Sequence, residues 1–233
     1  MIRVVTYNVS GGLDTSAVAS VLRGIDPTIV CLLERPGGGR LRTIARACNL
    51  EVVARAGRKG SGSAILADER VRVLASAHVP LSVPKEIPTR EATQAIVGID
   101  GLRLSVTAVQ FGLRPEVRQT NREELSAYLD SIDLPKIIGA DLNESVRSPV
   151  AGHLAGTFQD AYGVAGGSGG QTYPTNDPST RQDFVFVDHR LRVVACWVPT
   201  EPPIDVASHH RPVVAEVEGI EVGTQLAEED DRS

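Results

Sequence analysis

The chain has 233 residues, 42% of them apolar and 23% charged, enough to bury a sizeable core in one large domain. A net charge of −5 and an aromatic content of only 4% argue against a broad duplex-binding face or a base-stacking platform. No stretch approaches the roughly 18 consecutive apolar residues of a membrane span, so no membrane partner is expected.

The chain enters a strand-like run at once, over 2–9, with no charged leader and apolar signal region before it, and a cytoplasmic location is expected. Asn8 stands near the end of that run. Ala17, Val18, Val21, Leu22 and Ile25 recur at helical spacing and predict a helix over 15–24, capped by Asp14 or Thr15. A second apolar run, 28–34, ends on Glu34, where a carboxylate is costly unless solvated, paired or bound to a cation. Taken alone, a helix cap or an ion pair with Arg35 explains it as well. A helix is predicted over 39–48. Arg35, Arg40, Arg42, Arg46, Arg55, Arg58 and Lys59 crowd this region, so the local balance leans towards a polyanion. Strands near 51–56, 62–67, 70–78, 94–99 and 102–109, punctuated by Gly and Pro, predict antiparallel meanders. A helix over 115–131 has Pro115 in its first turn and Leu125 and Leu129 on one face. Then come a strand over 136–141, a short helix over 148–155, and strands over 182–187, 191–198 and 212–218.

Pro36–Gly39, Gly57–Ser63, Val83–Arg90 and Gly163–Pro178 are expected as loops, and long loops in compact domains are often functional. Cys31, Cys48 and Cys196 are an odd number at no metal-like spacing, which suits free thiols. Residues 1–220 read as a single domain, with mixed sheets and helices outside. Residues 221–233 read as a short acidic tail, expected to be disordered.

Polar residues stand where the apolar runs end. Ligands of layered α/β proteins bind outside the carboxyl ends of strands, so Asn8, Glu34, Asp141 with Asn143, and His209 with His210 can converge on one sheet edge. Hard oxygen donors beside a histidine suggest a divalent cation and a proton-transfer group, the equipment of metal-assisted hydrolysis. Asp141 and Asn143, two apart, leave a strand end on the same side, although both residues also favour Asx turns. Asp183, paired with His210, would fix the imidazole tautomer and support its charged form.

Together these fragments resemble the endonuclease/exonuclease/phosphatase superfamily: Thr6-Tyr7-Asn8-Val9, Leu32-Leu33-Glu34, Gly139-Ala140-Asp141-Leu142-Asn143, Arg181-Gln182-Asp183-Phe184-Val185-Phe186-Val187 and Ser208-His209-His210-Arg211-Pro212-Val213. The resemblance implies a four-layered α/β sandwich, two mixed sheets face to face with helices outside. It also implies a phosphoester hydrolase, either phosphodiesterase, nuclease or phosphatase, dependent on Mg2+ or Mn2+. Glu34 would be the main metal ligand, with Asn8 and His209 beside it. Asp141 would position or deprotonate the attacking water, Asn143 would hold the phosphate, and Asp183 would orient His210. Gln110 and Arg181 would join Asn143 in substrate binding. The expected partner is a phosphate ester, with nucleic acid among the compatible substrates, and a monomer is expected. Two positions depart from the family pattern: Gln110 stands for a histidine, and His209 for an aspartate. If these losses impair catalysis, the chain is instead a binding protein on the same scaffold.

Overall fold

A computed structural model describes residues 1–12, 14–85 and 90–220; the acidic 221–233 segment and part of the 83–90 loop lie outside the described residues. In chain order the elements are β1 (Ile2–Asn8), α1 (Thr15–Ile25), β2 (Ile29–Leu33), α2 (Gly38–Ala47), β3 (Glu51–Ala56), β4 (Ser63–Ala67), β5 (Arg72–Leu81), β6 (Arg90–Ile99), β7 (Leu102–Gln110), α3 (Pro115–Asp130), β8 (Lys136–Asp141), α4 (Pro149–Thr157), β9 (Gln159–Asp160), α5 (Ala161–Ala165), β10 (Asp183–Val187), β11 (Leu191–Trp197), α6 (Ile204–Ala207) and β12 (Val213–Gly219).

They build two mixed six-stranded sheets, ordered β11-β12-β1-β2-β4-β3 and β5-β6-β7-β8-β10-β9. The strands β2, β4, β8 and β10 are buried on both faces, which is why their sequences are continuous apolar runs rather than alternations. One core lies between the sheets, from Val4, Cys31 and Ile65 on one side to Val106, Ile137 and Val185 on the other. A second, around Tyr7, Leu22, Leu32 and Ile44, joins the first sheet to α1 and α2. A third, around Phe111, Leu125, Leu129, Leu154 and Phe186, joins the second sheet to α3 and α4. The result is the four-layered sandwich, helices outside. Asp14, not Thr15, caps α1: its Oδ1 accepts from the amides of Ser16 and Ala17, both at 2.9 Å.

The meander expected over 51–109 is divided between the sheets: β3 and β4 pair in the first, β5, β6 and β7 in the second. β6 begins four residues earlier than its apolar pattern suggests, because Arg90, Glu91 and Thr93 are held in register by β5. The two-residue β9 and the short α5 and α6 are below the length at which periodicity can be read.

Topology sets one functional edge. β1 and β2 are parallel, with Asn8 opposite Leu33, and β7 and β8 are parallel, with Gln110 opposite Asp141. β10 and β12 run the other way and begin at the same edge, Asp183 opposite Asp141 and Val213 opposite Thr6. The sheets approach closely just beneath it: a Cβ on Gly139 would lie 2.4 Å from Cys31 Cβ and 2.8 Å from its Sγ, so no side chain larger than hydrogen fits there.

Candidate active site

Two carboxylates face each other at this edge. Glu34 follows β2 and Asp141 ends β8. Asn8 Nδ2 donates to both, 3.2 Å from Glu34 Oε1 and 2.9 Å from Asp141 Oδ2. Gln110 Nε2 donates to the same two oxygens, at 2.7 and 3.0 Å. Each amide's own oxygen has a separate donor: Asn8 Oδ1 accepts from the Ser10 amide at 3.0 Å, and Gln110 Oε1 accepts from Arg90 Nη1. These donors fix which end of each amide meets the carboxylates.

Beside the carboxylates, His210 Nδ1 lies 2.9 Å from Asp183 Oδ2. The Tyr173 ring packs against the imidazole, centroids 4.8 Å apart. His210 Nε2 has no hydrogen-bond partner among the described residues. Burial works against the imidazolium, but the charge and hydrogen bond of Asp183, with Asp141 and Glu34 nearby, outweigh it and push His210 up to about 9. Burial, and then the charge of Asp183, raise Asp141 above the usual carboxylate range, opposed by His210 and by hydrogen bonds from the Asn143 amide and Asn8.

The backbone around the site is held in unusual conformations. Ser10, Glu34 and Asn143 all have left-handed φ, at +46°, +47° and +52°, a region that non-glycine residues visit rarely and that persists where surrounding structure enforces it. The enforcement is visible. The Val9 amide donates to Leu33 O and the Gly11 amide to Glu34 O, and Ser208 Oγ donates to Asn8 O at 2.6 Å. Arg35 is not an ion-pair partner of Glu34: its buried guanidinium donates to the carbonyls of Ala56, Pro36 and Gly57.

The remaining expected residues are placed as follows. Asn143 Nδ2 donates to Phe111 O at 2.8 Å, which leaves one of its two amide hydrogens for another acceptor. His209 is exposed, anchored through its backbone, with its amide 3.4 Å from Ser10 Oγ. Arg181 makes a bidentate pair with Asp160, at 2.8 and 2.5 Å, and its guanidinium lies over Phe184 and Tyr162. Gln110, with its nitrogen on two carboxylates and its oxygen on Arg90, clamps the site.

Arg90 escaped the sequence reading. It is half-buried and its Nε has no partner among the described residues; burial lowers its proton affinity, opposed by the nearby charges of Glu34 and Asp141. The available signal was its position at the head of a strand, immediately after Pro88 and Thr89 in sequence, but a lone arginine at a strand end has many solvated explanations.

The donor set fits a small hard cation. One ligand atom each from Asp141, Asp183 and His210 lie within 4.8 Å of one another. Asp183 Oδ1 is buried without a partner, an expensive state for a carboxylate oxygen unless a cation or water serves it. Mg2+ and Mn2+ favour this chemistry of few carboxylates plus water and phosphate oxygens. No helix among the described residues is long and apolar enough to cross a membrane.

Comparison with known proteins places the fold. The model of the endonuclease/exonuclease/phosphatase family matches residues 5–212. Similar solved structures include an endonuclease/exonuclease/phosphatase from Bacteroides vulgatus, with TM-score 0.82 and 19% identity over 94% of this chain and 99% of that one. A mannosyl-6-phosphatase of Bacteroides thetaiotaomicron VPI-5482 has TM-score 0.80 and 16% identity, covering 94% and 100%. The human nocturnin catalytic domain with a bound sulfate anion has TM-score 0.74 and 18% identity, covering 94% and 93%. No curated protein matches the chain.

Proposed function

This chain belongs to the endonuclease/exonuclease/phosphatase family, and on that premise we propose that it is a divalent-metal-dependent phosphoester hydrolase. The observation that carries the reading is the pair of carboxylates, Glu34 and Asp141, bridged by two amides and set beside the Asp183–His210 pair.

In this reading Glu34 would be the principal metal ligand, with His209 beside the site; Asn8, whose amide hydrogens face the carboxylates and whose oxygen accepts from the Ser10 amide, supports the ligand instead of binding the ion. A bound Mg2+ or Mn2+ would supply charge neutralisation at a phosphate oxygen. The protein's own groups do the rest. Asp141, its affinity for protons raised by burial, orients a water and accepts its proton. The free amide hydrogen of Asn143 and the guanidinium of Arg90 hold phosphate oxygens as charge builds on them. Asp183 accepts from Nδ1 and favours the imidazolium, so that Nε2 also carries a proton to offer to the phosphate or the departing oxygen. Asn8 and Gln110 hold the two like charges together, which would otherwise repel.

A catalytically impaired binding protein is the second reading. It is favoured by the amide of Gln110, which can donate a hydrogen bond but carries neither charge nor transferable proton, and by His209 in place of an aspartate. The two readings separate on hydrolysis of a chromogenic phosphodiester, a phosphomonoester, single- and double-stranded DNA and RNA, each with Mg2+, Mn2+ or chelator. Turnover that chelator and Glu34→Ala both abolish, with the variant still folded, is the expected outcome. Metal-independent turnover, or full activity in Glu34→Ala, would refute the hydrolase mechanism.

A further inference from the structure

Asp183 and His210 belong to different sheets. Asp183 opens β10 in the second sheet, and His210 stands just before β12 in the first. No ladder joins β10 to β12. Strand register therefore places each partner only within its own sheet, and something else must set the 2.9 Å between His210 Nδ1 and Asp183 Oδ2. The segment that spans the gap includes the end of the long Gly163–Pro178 loop. It is closed into a hairpin by the bridge between Tyr173 and Thr180.

Thr172, at the root of this hairpin, is bonded to both sides. Its Oγ1 accepts from the amides of Gln182 and Asp183, at 3.0 and 3.2 Å. Its carbonyl accepts from the Arg211 amide at 2.8 Å. One fully buried residue thus holds the backbone of Asp183 and the backbone adjoining His210. A hydroxyl oxygen can accept two hydrogen bonds, and both are made here. Buried Thr175 adds to the His210 side: its amide donates to His209 O and its Oγ1 to Ser208 O, both at 2.8 Å. Between the two threonines, Tyr173 lays its ring on the imidazole. Buried amides deprived of an acceptor are costly, so these oxygens are anchors that the neighbouring backbone cannot leave freely.

We propose that Thr172 is a positioning residue: its hydroxyl and carbonyl splice β10 to the segment before β12 and so set the geometry of the Asp183–His210 pair. The consequence for turnover rests on the phosphoester hydrolase reading, whereas the splice rests on the hydrogen bonds alone. Thr172 is fully buried and meets no substrate, so its hydroxyl acts on the rate and not on affinity. A reacting group misplaced by about 1 Å can cost roughly 100-fold in rate.

Thr172→Val keeps the branched shape but leaves the amides of Gln182 and Asp183 without their acceptor, whereas Thr172→Ser keeps the hydroxyl. Kinetics are measured on 4-nitrophenyl phosphate and bis(4-nitrophenyl) phosphate with Mg2+ or Mn2+, on variants shown to be folded by circular dichroism. In Thr172→Val, kcat is expected to fall about 10- to 100-fold with KM changed by less than about threefold, and Thr172→Ser is expected to stay within about threefold of the wild type. Thr175→Val, which removes only the donation to Ser208 O, is the second variant, with an expected loss in kcat of about tenfold. Imidazole NMR of the metal-free protein reads the pair directly, with His210 assigned by its absence in His210→Gln. The Nδ1 proton shared with Asp183 is expected in the wild type and in Thr172→Ser, and is expected to be lost in Thr172→Val. A wild-type kcat in folded Thr172→Val, a rise in KM alone, or an Nδ1 signal unmoved in both valine variants overturns the proposal. An Nδ1 signal that depends on Thr172, in a wild type inactive on every ester, overturns the hydrolase reading and leaves the positioning of the pair standing.

Discussion

At the scale of single residues, Gln110 is the position to probe. The resemblance implies a histidine there, and an amide cannot replace its proton or its positive charge. Instead the Gln110 oxygen accepts from Arg90, which brings a guanidinium within reach of the charges of Glu34 and Asp141. If Arg90 stabilises charge on phosphate, Arg90→Ala should lower kcat/KM by about 100-fold or more, in line with the loss of one preorganised donor. Arg90→Lys should recover only part of this, since an ammonium lacks the fork that holds Gln110 and phosphate together. Steady-state kinetics on any turned-over phosphate ester decides it, and a loss of only a fewfold in Arg90→Ala would return Arg90 to a structural role.

At the scale of elements, the constraint is how closely the two sheets approach under the site. β8 packs its Gly139 against Cys31 of β2, which sets the depth at which Asp141 emerges opposite Glu34. Gly139→Ala inserts a methyl into this contact and should destabilise the protein by about 1–3 kcal/mol through overpacking. Urea unfolding measures this directly. It should also weaken activity beyond what the stability loss explains, because displacing β8 moves Asp141. A stability unchanged within about 0.5 kcal/mol would mean that the sheets separate freely here. The glycine lies inside a strand run, where it weakens the strand, and only the opposing sheet explains its presence.

At the scale of the whole molecule, four buried polar groups from four strands meet a protonation equilibrium. His210 is pushed from 6.5 to about 9 in the folded chain, so the fold favours the imidazolium. That contribution is fully present below pH 6.5 and is lost as pH rises through 9, and a shift of this size corresponds to roughly 3 kcal/mol. The metal-free protein should therefore lose stability between pH 6.5 and 9.5, and His210→Gln should flatten that part of the profile. Denaturant titrations across this window check the expectation, and parallel profiles for the two proteins would contradict it.

Much of this was legible before any coordinates. Apolar runs such as Ile29–Leu33 and Lys136–Asp141 announce buried strands because a strand covered on both faces must be apolar throughout, and the polar residue ending each run marks a functional edge. Those properties are local, so the sequence by itself determined the longer elements, the sheet class and the residues Asn8, Glu34, Asp141, Asp183 and His210 as candidates. What only the tertiary structure decided is how they face one another. It set the double amide bridge between Glu34 and Asp141, the recruitment of Arg90 from a different strand, and the pairing of Arg181 with Asp160. Each depends on distances between residues far apart in the chain, which are fixed by strand register and sheet-to-sheet packing, and no local pattern carries that information.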